Sequence, residues 1–159
     1  MNKIYPDEWQ KIINFVPKNR QNDIVEYFYK VFNSNDQIMI MEAAKIWSNF
    51  ELNTVSINNN NNKNYNKKLK LEMAYLECHY FINKCFLEDN WIINNIKNIE
   101  SIPTYIINGR FDIITPVSSS YLLHNNLPNS YYKIIQNAAH SAYDMKEELL
   151  KITDNILKK

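Results

Sequence analysis

Apolar residues recur at intervals of three and four along the first two thirds of the chain. Trp9, Ile12, Ile13 and Val16 follow Pro6-Asp7 and precede Pro17, a spacing that predicts a short amphipathic helix with an acidic first turn, closed by proline. Ile24, Val25, Phe28, Val31 and Phe32 predict a second helix over 23–32. Ile38, Met41, Ala43, Ala44, Trp47 and Phe50 predict a third over 36–50. Helix resumes over 69–86 and, more briefly, over 90–99. Between the third helix and residue 69 the chain turns to asparagine, Asn58 to Asn62 and then Lys63, Asn64, Tyr65, Asn66 and Lys67. Such a tract cannot bury enough apolar area to offset its ordering entropy, so the segment near 57–68 reads as a flexible surface loop.

After Pro103 the period changes. Thr104-Tyr105-Ile106-Ile107-Asn108 is a short apolar run between Pro and Gly, the pattern of a strand buried on both faces of a parallel sheet. A second run, Tyr131 to Ile135, follows a helix predicted over 117–127 with Pro116 at its first turn, giving a strand, helix, strand crossover. A last helix over 144–157 carries Met145, Leu149, Ile152 and Ile156 on one face and is expected to cover the sheet. The fold class is α/β, with a helical region over 1–100 and an α/β core segment over 101–159. Two parallel strands make no stable sheet alone, so the pattern calls for further strands.

Charge narrows the function classes. Eighteen basic against seventeen acidic residues leave a net charge of +1, no electrostatic footprint for nucleic acid or an anionic membrane. No apolar stretch approaches the ~20 residues of a membrane span, and the first residues hold no apolar signal core, so a soluble, cytoplasmic protein is expected. Cys78 and Cys85 fall on one predicted helix, about 10 Å apart by helical rise and beyond disulfide reach, and read as two reduced, partly buried thiols. Glu77, Cys78 and His79 are consecutive and point different ways around a helix, so no metal is implied. His79 is expected to satisfy a local hydrogen bond, His124 to lie on the exposed side of its helix, and Trp9, Trp47 and Trp91 to pack rather than stack on a ligand.

Two segments carry chemistry. Gly109-Arg110-Phe111-Asp112 and Asn137-Ala138-Ala139-His140-Ser141 each follow an apolar run, placing an Asp just past one strand and a His just past the next. These are the last two members of a Ser, Asp, His triad in one of its known chain orders. Singly, the Asp could cap the following helix and the His could be solvated. The chain holds no Gly-x-Ser-x-Gly, and Gly109 is its only glycine.

Taken in order, Pro6-Asp7-Glu8-Trp9, Ala43 to Glu51 (Ala-Ala-Lys-Ile-Trp-Ser-Asn-Phe-Glu), Leu76 to Phe81 (Leu-Glu-Cys-His-Tyr-Phe), Ile102 to Asp112 and Ala139-His140-Ser141 resemble the C-terminal half of the proline iminopeptidases. These are α/β-hydrolases with a helical cap. The resemblance spans nearly the whole chain apart from the asparagine tract. It implies Asp112 as triad acid and His140 as general base, and Glu51, Glu77 and Phe81 as the cap residues that hold a protonated prolyl amine and its ring. It implies peptides with N-terminal proline as substrates and no cofactor. The family's serine elbow and oxyanion segment are not among these residues, so the chain alone is expected to be inactive. A non-catalytic truncated or split fragment that docks on a separate N-terminal half stays open, as does another capped α/β-hydrolase such as an esterase. Two departures stand out: Ala139 replaces the glycine usual before the His, which would strain the turn if that position needs a positive φ, and Thr115 stands where the family often has Cys.

Overall fold

The computed structural model describes residues 2–57 and 66–158. Asparagines and their neighbours at 58–65, the heart of the expected surface loop, lie outside the described residues. The chain divides into two compact units, Met1–Asn53 with Asn60–Glu88, and Thr54–Asn59 with Asp89–Lys159.

The first unit is helical. Helix α1 (Pro6–Phe15) opens on proline and closes at Val16, whose backbone turns extended before Pro17. Helix α2 (Ile24–Phe32) is followed by α3 (Gln37–Thr54), where Asp36 Oδ1 accepts from the N–H groups of Ile38 and Met39 at 3.1 and 3.0 Å. That cap satisfies two of the four free donors at the helix start. Helix α4 (Lys67–Ile82) begins two residues earlier than its apolar pattern suggests, because the Asn66 side chain accepts from the Leu69 N–H at 2.8 Å and caps it. The core gathers Ile12, Val16, Phe28, Trp47, Phe50 and Cys78 from all four helices. Phe28, fully buried, touches the rings of Phe15, Phe32 and Trp47, so a single aromatic on α2 joins α1 and α3. Ser48 Oγ donates to the Lys70 carbonyl at 2.9 Å, and the Lys70 ammonium to Asn49 Oδ1 at 2.8 Å, fastening α4 to α3.

The helix expected to reach residue 86 stops at Ile82. Lys84, Cys85 and Phe86 have φ of 51°, 54° and 58°, a left-handed turn that carries Cys85 off the helix and leaves it exposed while Cys78 is buried. The Phe86 ring is then folded back on His79 and Tyr80, each with centroids 5.5 Å away, contacts that offset the left-handed backbone. His79, expected in a local hydrogen bond, instead packs through its ring, with Tyr29 at 6.3 Å on its other neighbour.

The second unit opens with α5 (Trp91–Asn94) and a 3-10 turn over Ile96–Ile99. Strand β1 (Thr104–Gly109) and strand β2 (Ser130–Ile135) pair in parallel, Thr104 opposite Ser130 and Gly109 opposite Ile135, joined by α6 (Val117–Asn126). The burial expected on both faces is reached only at the C-terminal end of β1, at Asn108 and Gly109. Tyr105 and Tyr131 stand exposed side by side, ring centroids 5.9 Å apart, because among the described residues the sheet has two strands. His124 is half-buried rather than on the open side of α6. It stacks on Tyr132 at 5.2 Å and sits 2.7 Å from Ser130 Oγ. A 3-10 turn (Ala142–Met145) leads into α7 (Lys146–Leu157). Only Met145 of the stripe expected to cover the sheet is buried; Leu149 and Ile156 are exposed. The firm link between α7 and the sheet is polar, Lys133 to Glu148 at 2.6 Å.

Candidate active site

Both strands end at a common place. From the turn after β1, the Arg110 N–H donates to the Ile135 carbonyl at 2.9 Å and the Phe111 N–H to the Ala138 carbonyl at 3.0 Å. The loops that carry Asp112 and His140 are therefore stitched together by backbone before any side chain is counted. Ala138 and Ala139 are buried beneath this seam. Behind the His140 loop, Asp144 accepts from Ser56 Oγ with both carboxylate oxygens at 3.0 Å, and the Ser141 N–H donates to the Val55 carbonyl at 2.8 Å. Ala139 is not among the positive-φ residues, so alanine there leaves the turn unstrained and the expected conflict does not arise.

Asp112 is buried, its side chain only 3% exposed, and every lone-pair direction it offers is used. Oδ1 accepts from the N–H groups of Ile114 and Thr115 at 3.0 and 2.8 Å, a local turn of the kind aspartate favours. Oδ2 accepts from Thr115 Oγ1 at 2.8 Å, from Asn108 Nδ2 at 3.2 Å and from His140 Nδ1 at 3.0 Å. Burial pushes this carboxyl up, but the Thr115 N–H and hydroxyl, together with the His140 hydrogen bond and charge, hold it below the usual range. It is an anion at neutral pH.

His140 is the outer member of the pair, its ring 39% exposed. An Nδ1–H aimed at an ionised Asp112 leaves the lone pair on Nε2, on the far edge of the ring. That is the arrangement a general base requires. Asp112 does not cap the following helix, since α6 begins at Val117 with no side-chain cap; its Oδ1 instead closes the 112–115 turn while Oδ2 faces His140.

Four polar residues that the motif does not display, Asn108, Thr115, Ser120 and Tyr132, complete the site. Asn108, buried at the end of β1, donates to Asp112 and accepts through Oδ1 from Ser120 Oγ of α6; Tyr132 OH lies 2.9 Å from Ser120 Oγ. The signal for Asn108 was a polar residue closing an apolar strand beside the only glycine. Thr115 contacts both members of the pair.

The other predicted site residues lie in the helical unit. Glu77 Oε2 accepts from the Trp47 indole N–H at 2.7 Å, and the Phe81 ring, one turn after Glu77 on α4, lies 6.1 Å from the Trp47 ring at 35°. Glu77 and Phe81 are thus brought together, by Trp47. Glu51, half-buried, stands one turn after Trp47 on α3 and so on the same side of that helix. Trp47 is a core residue as expected, but its N–H also aims a carboxylate. A half-buried carboxylate beside an exposed phenyl ring suits a small ligand with a cationic amine and an apolar ring. Among the described residues no three His, Cys, Asp or Glu side chains gather as metal ligands, and no helix is long and apolar enough to cross a membrane.

Residues 1–147 match the family described as alpha/beta hydrolase fold. Over 160 aligned residues the chain is 32% identical to a proline iminopeptidase of Neisseria meningitidis serogroup A, covering 99% of this chain and 51% of that protein. It is 35% identical over 144 residues to a proline iminopeptidase of Arabidopsis thaliana, covering 87% of this chain and 38% of the relative. A proline iminopeptidase of Xylella fastidiosa is 29% identical over 160 residues, covering 97% and 51%. The chain spans about half the length, or less, of these curated relatives.

Proposed function

This chain belongs to the α/β-hydrolase fold family, and we propose that it carries the acid and base of a serine aminopeptidase that releases N-terminal proline from peptides. The observation that carries this reading is the 3.0 Å contact between His140 Nδ1 and a buried, ionised Asp112 at adjoining strand ends. In the reaction, His140 Nε2 takes the proton of a serine hydroxyl as it attacks the prolyl carbonyl. It returns that proton to the leaving amine, and water then discharges the ester by the same route in reverse. Asp112 keeps the imidazole oriented and stabilises its cationic form. Glu51 and Glu77 bind the protonated secondary amine, and Phe81 lies against the pyrrolidine ring. The serine and its oxyanion donors are contributed from outside these 159 residues, and the chemistry calls on no metal or organic cofactor.

The test is an assay of the native gene product that contains this chain, on a prolyl anilide and on the same anilide with its amine blocked. The free substrate alone is hydrolysed. His140→Ala and Asp112→Asn each lower kcat on the order of 10³-fold or more. Equal turnover of the blocked substrate would point to an esterase-like hydrolase, and full activity in His140→Ala would remove the base from this chain.

A further inference from the structure

The Thr115 hydroxyl completes a triangle with the acid and base. Oγ1 lies 2.8 Å from Asp112 Oδ2 and 3.1 Å from His140 Nδ1, and those two atoms are 3.0 Å apart. Three hydrogen-bonding edges must share the protons available, and the hydroxyl has one. It goes to the ionised carboxylate, because a hydrogen bond to a charged acceptor is roughly twice as strong as one to a neutral ring nitrogen. Once it is spent there, Oγ1 presents only lone pairs to the imidazole, and Nδ1 faces two acceptors. A neutral imidazole in that setting must carry its proton on Nδ1.

We infer that Thr115 is a positioning residue that locks the tautomer of His140, leaving Nε2 unprotonated whenever the ring is neutral. The opposite tautomer would set an Nδ1 lone pair against Oδ2, and relieving it by turning the hydroxyl toward Nδ1 would strip Asp112 of a donor. Thr115 itself has little freedom. Its N–H donates to Asp112 Oδ1 at 2.8 Å, its carbonyl accepts from Asn108 Nδ2 at 3.5 Å, and Pro116 follows with φ fixed at −59°. The turn at 112–115 thus supplies both the acid and the group that dictates where the base holds its proton. This deepens the peptidase reading and rests on it for its consequence, since a His140 locked the other way could not accept a serine proton.

The experiment reads the tautomer itself. The native gene product that contains this chain, labelled with ¹⁵N-histidine, is studied by NMR at a pH well above the ordinary imidazole range, with the three histidines of the chain assigned by single substitution. In the unaltered chain His140 gives the Nδ1–H pattern. Thr115→Val keeps the shape, loses the hydroxyl, and raises the Nε2–H fraction about tenfold, the scale of one net hydrogen bond. Thr115→Ser restores the original pattern. An unchanged distribution in Thr115→Val, or failure of Thr115→Ser to restore it, overturns the inference. So does a predominant Nε2–H form in the unaltered chain, which needs no variant to fold. Loss of the peptidase reading would leave these spectra as they are, whereas an unchanged Nδ1–H pattern in Thr115→Val would leave prolyl hydrolysis intact with Asp112 as sole orienter.

Discussion

The α-carbon of Gly109 faces the backbone of Ala139 so closely that a β-carbon placed on it would lie 2.1 Å from the Ala139 carbonyl oxygen. It would also lie 2.5 Å from the Ala138 oxygen and 2.6 Å from the Ala138 carbonyl carbon. The glycine does not have a positive φ, so its reason is space alone. The last residue of β1 must touch the segment that ends in His140, and these contacts are with backbone, which cannot swing aside. The only glycine of the chain thus sets the distance between the acid loop and the base loop.

Gly109→Ala is therefore expected to destabilise the α/β unit by about 2–4 kcal/mol, at or above the usual cost of overpacking because no side chain can yield. Urea unfolding measures it. The His140 imidazole resonances should shift in the same variant, while an exposed change such as Ser118→Ala leaves both unaltered. A cost within about 0.5 kcal/mol, the range of ordinary surface substitutions, would show that the seam between the loops is soft.

Asp112 ties stability to pH with a definite sign. Burial alone would raise its carboxyl, but the Thr115 donors and His140 bring it below the unfolded value of about 3.9. Its contribution is then fully present above that value and lost as pH falls through the lower folded one. Asp112→Asn should cost about 2 kcal/mol near neutrality, where several donors lose a charged acceptor, and progressively less below about pH 4. Unfolding midpoints of both proteins at pH 6, 4 and 3 check this; a gap that widens on acidification would contradict it.

Much of the site could be read from residue order, and what could not has a physical reason. Pro17, Pro103 and Gly109 punctuate elements whatever surrounds them, so α1 and β1 were expected nearly to their ends. Asp112 and His140 were visible because strand ends deliver them to one place. The Trp47 to Glu77 bond joins residues thirty apart on two helices, and no periodicity encodes it. Thr115 reads in sequence only as a departure from the family's Cys, because its meaning lies in where a hydroxyl points. The stripe on α7 and the apolar strands overstated burial, since hydrophobic spacing tells which face seeks cover and not whether cover is present. Asn66 belonged by composition to a polar tract, yet its side chain starts a helix, for asparagine serves loops and caps alike.

Trp47→Phe separates two roles of one side chain. The ring stays in the core, next to Phe28 and Phe81, while the N–H that holds Glu77 is lost. Stability should fall by about 1–2 kcal/mol, from the smaller ring and the lost hydrogen bond. In the native gene product, KM for the free prolyl substrate should rise several-fold with kcat changed less, because Glu77 is less well aimed at the amine. Steady-state kinetics check it, and a fall in kcat with KM unchanged would place Trp47 outside amine recognition.

The two thiols should differ sharply in reactivity. Cys78 lies in the core of the helical unit, its Sγ donating to the Val25 carbonyl at 3.4 Å, and burial pushes its thiol up to about 11. At pH 8 only roughly a thousandth of it would be thiolate even if reagent could reach it. Cys85 sits exposed on the left-handed turn after α4. An aromatic disulfide reagent added to the folded chain should therefore modify one thiol promptly and the second only at the rate of unfolding, so that denaturant abolishes the difference. Because α2 and α4 meet at Cys78, the slow phase reports opening of the helical unit alone. Its rate should follow variants there, such as Trp47→Phe, and be indifferent to Gly109→Ala in the other unit. Prompt reaction of both thiols would mean that α2 and α4 separate readily, and the carboxylate held by Trp47 would then have no fixed position from which to bind an amine.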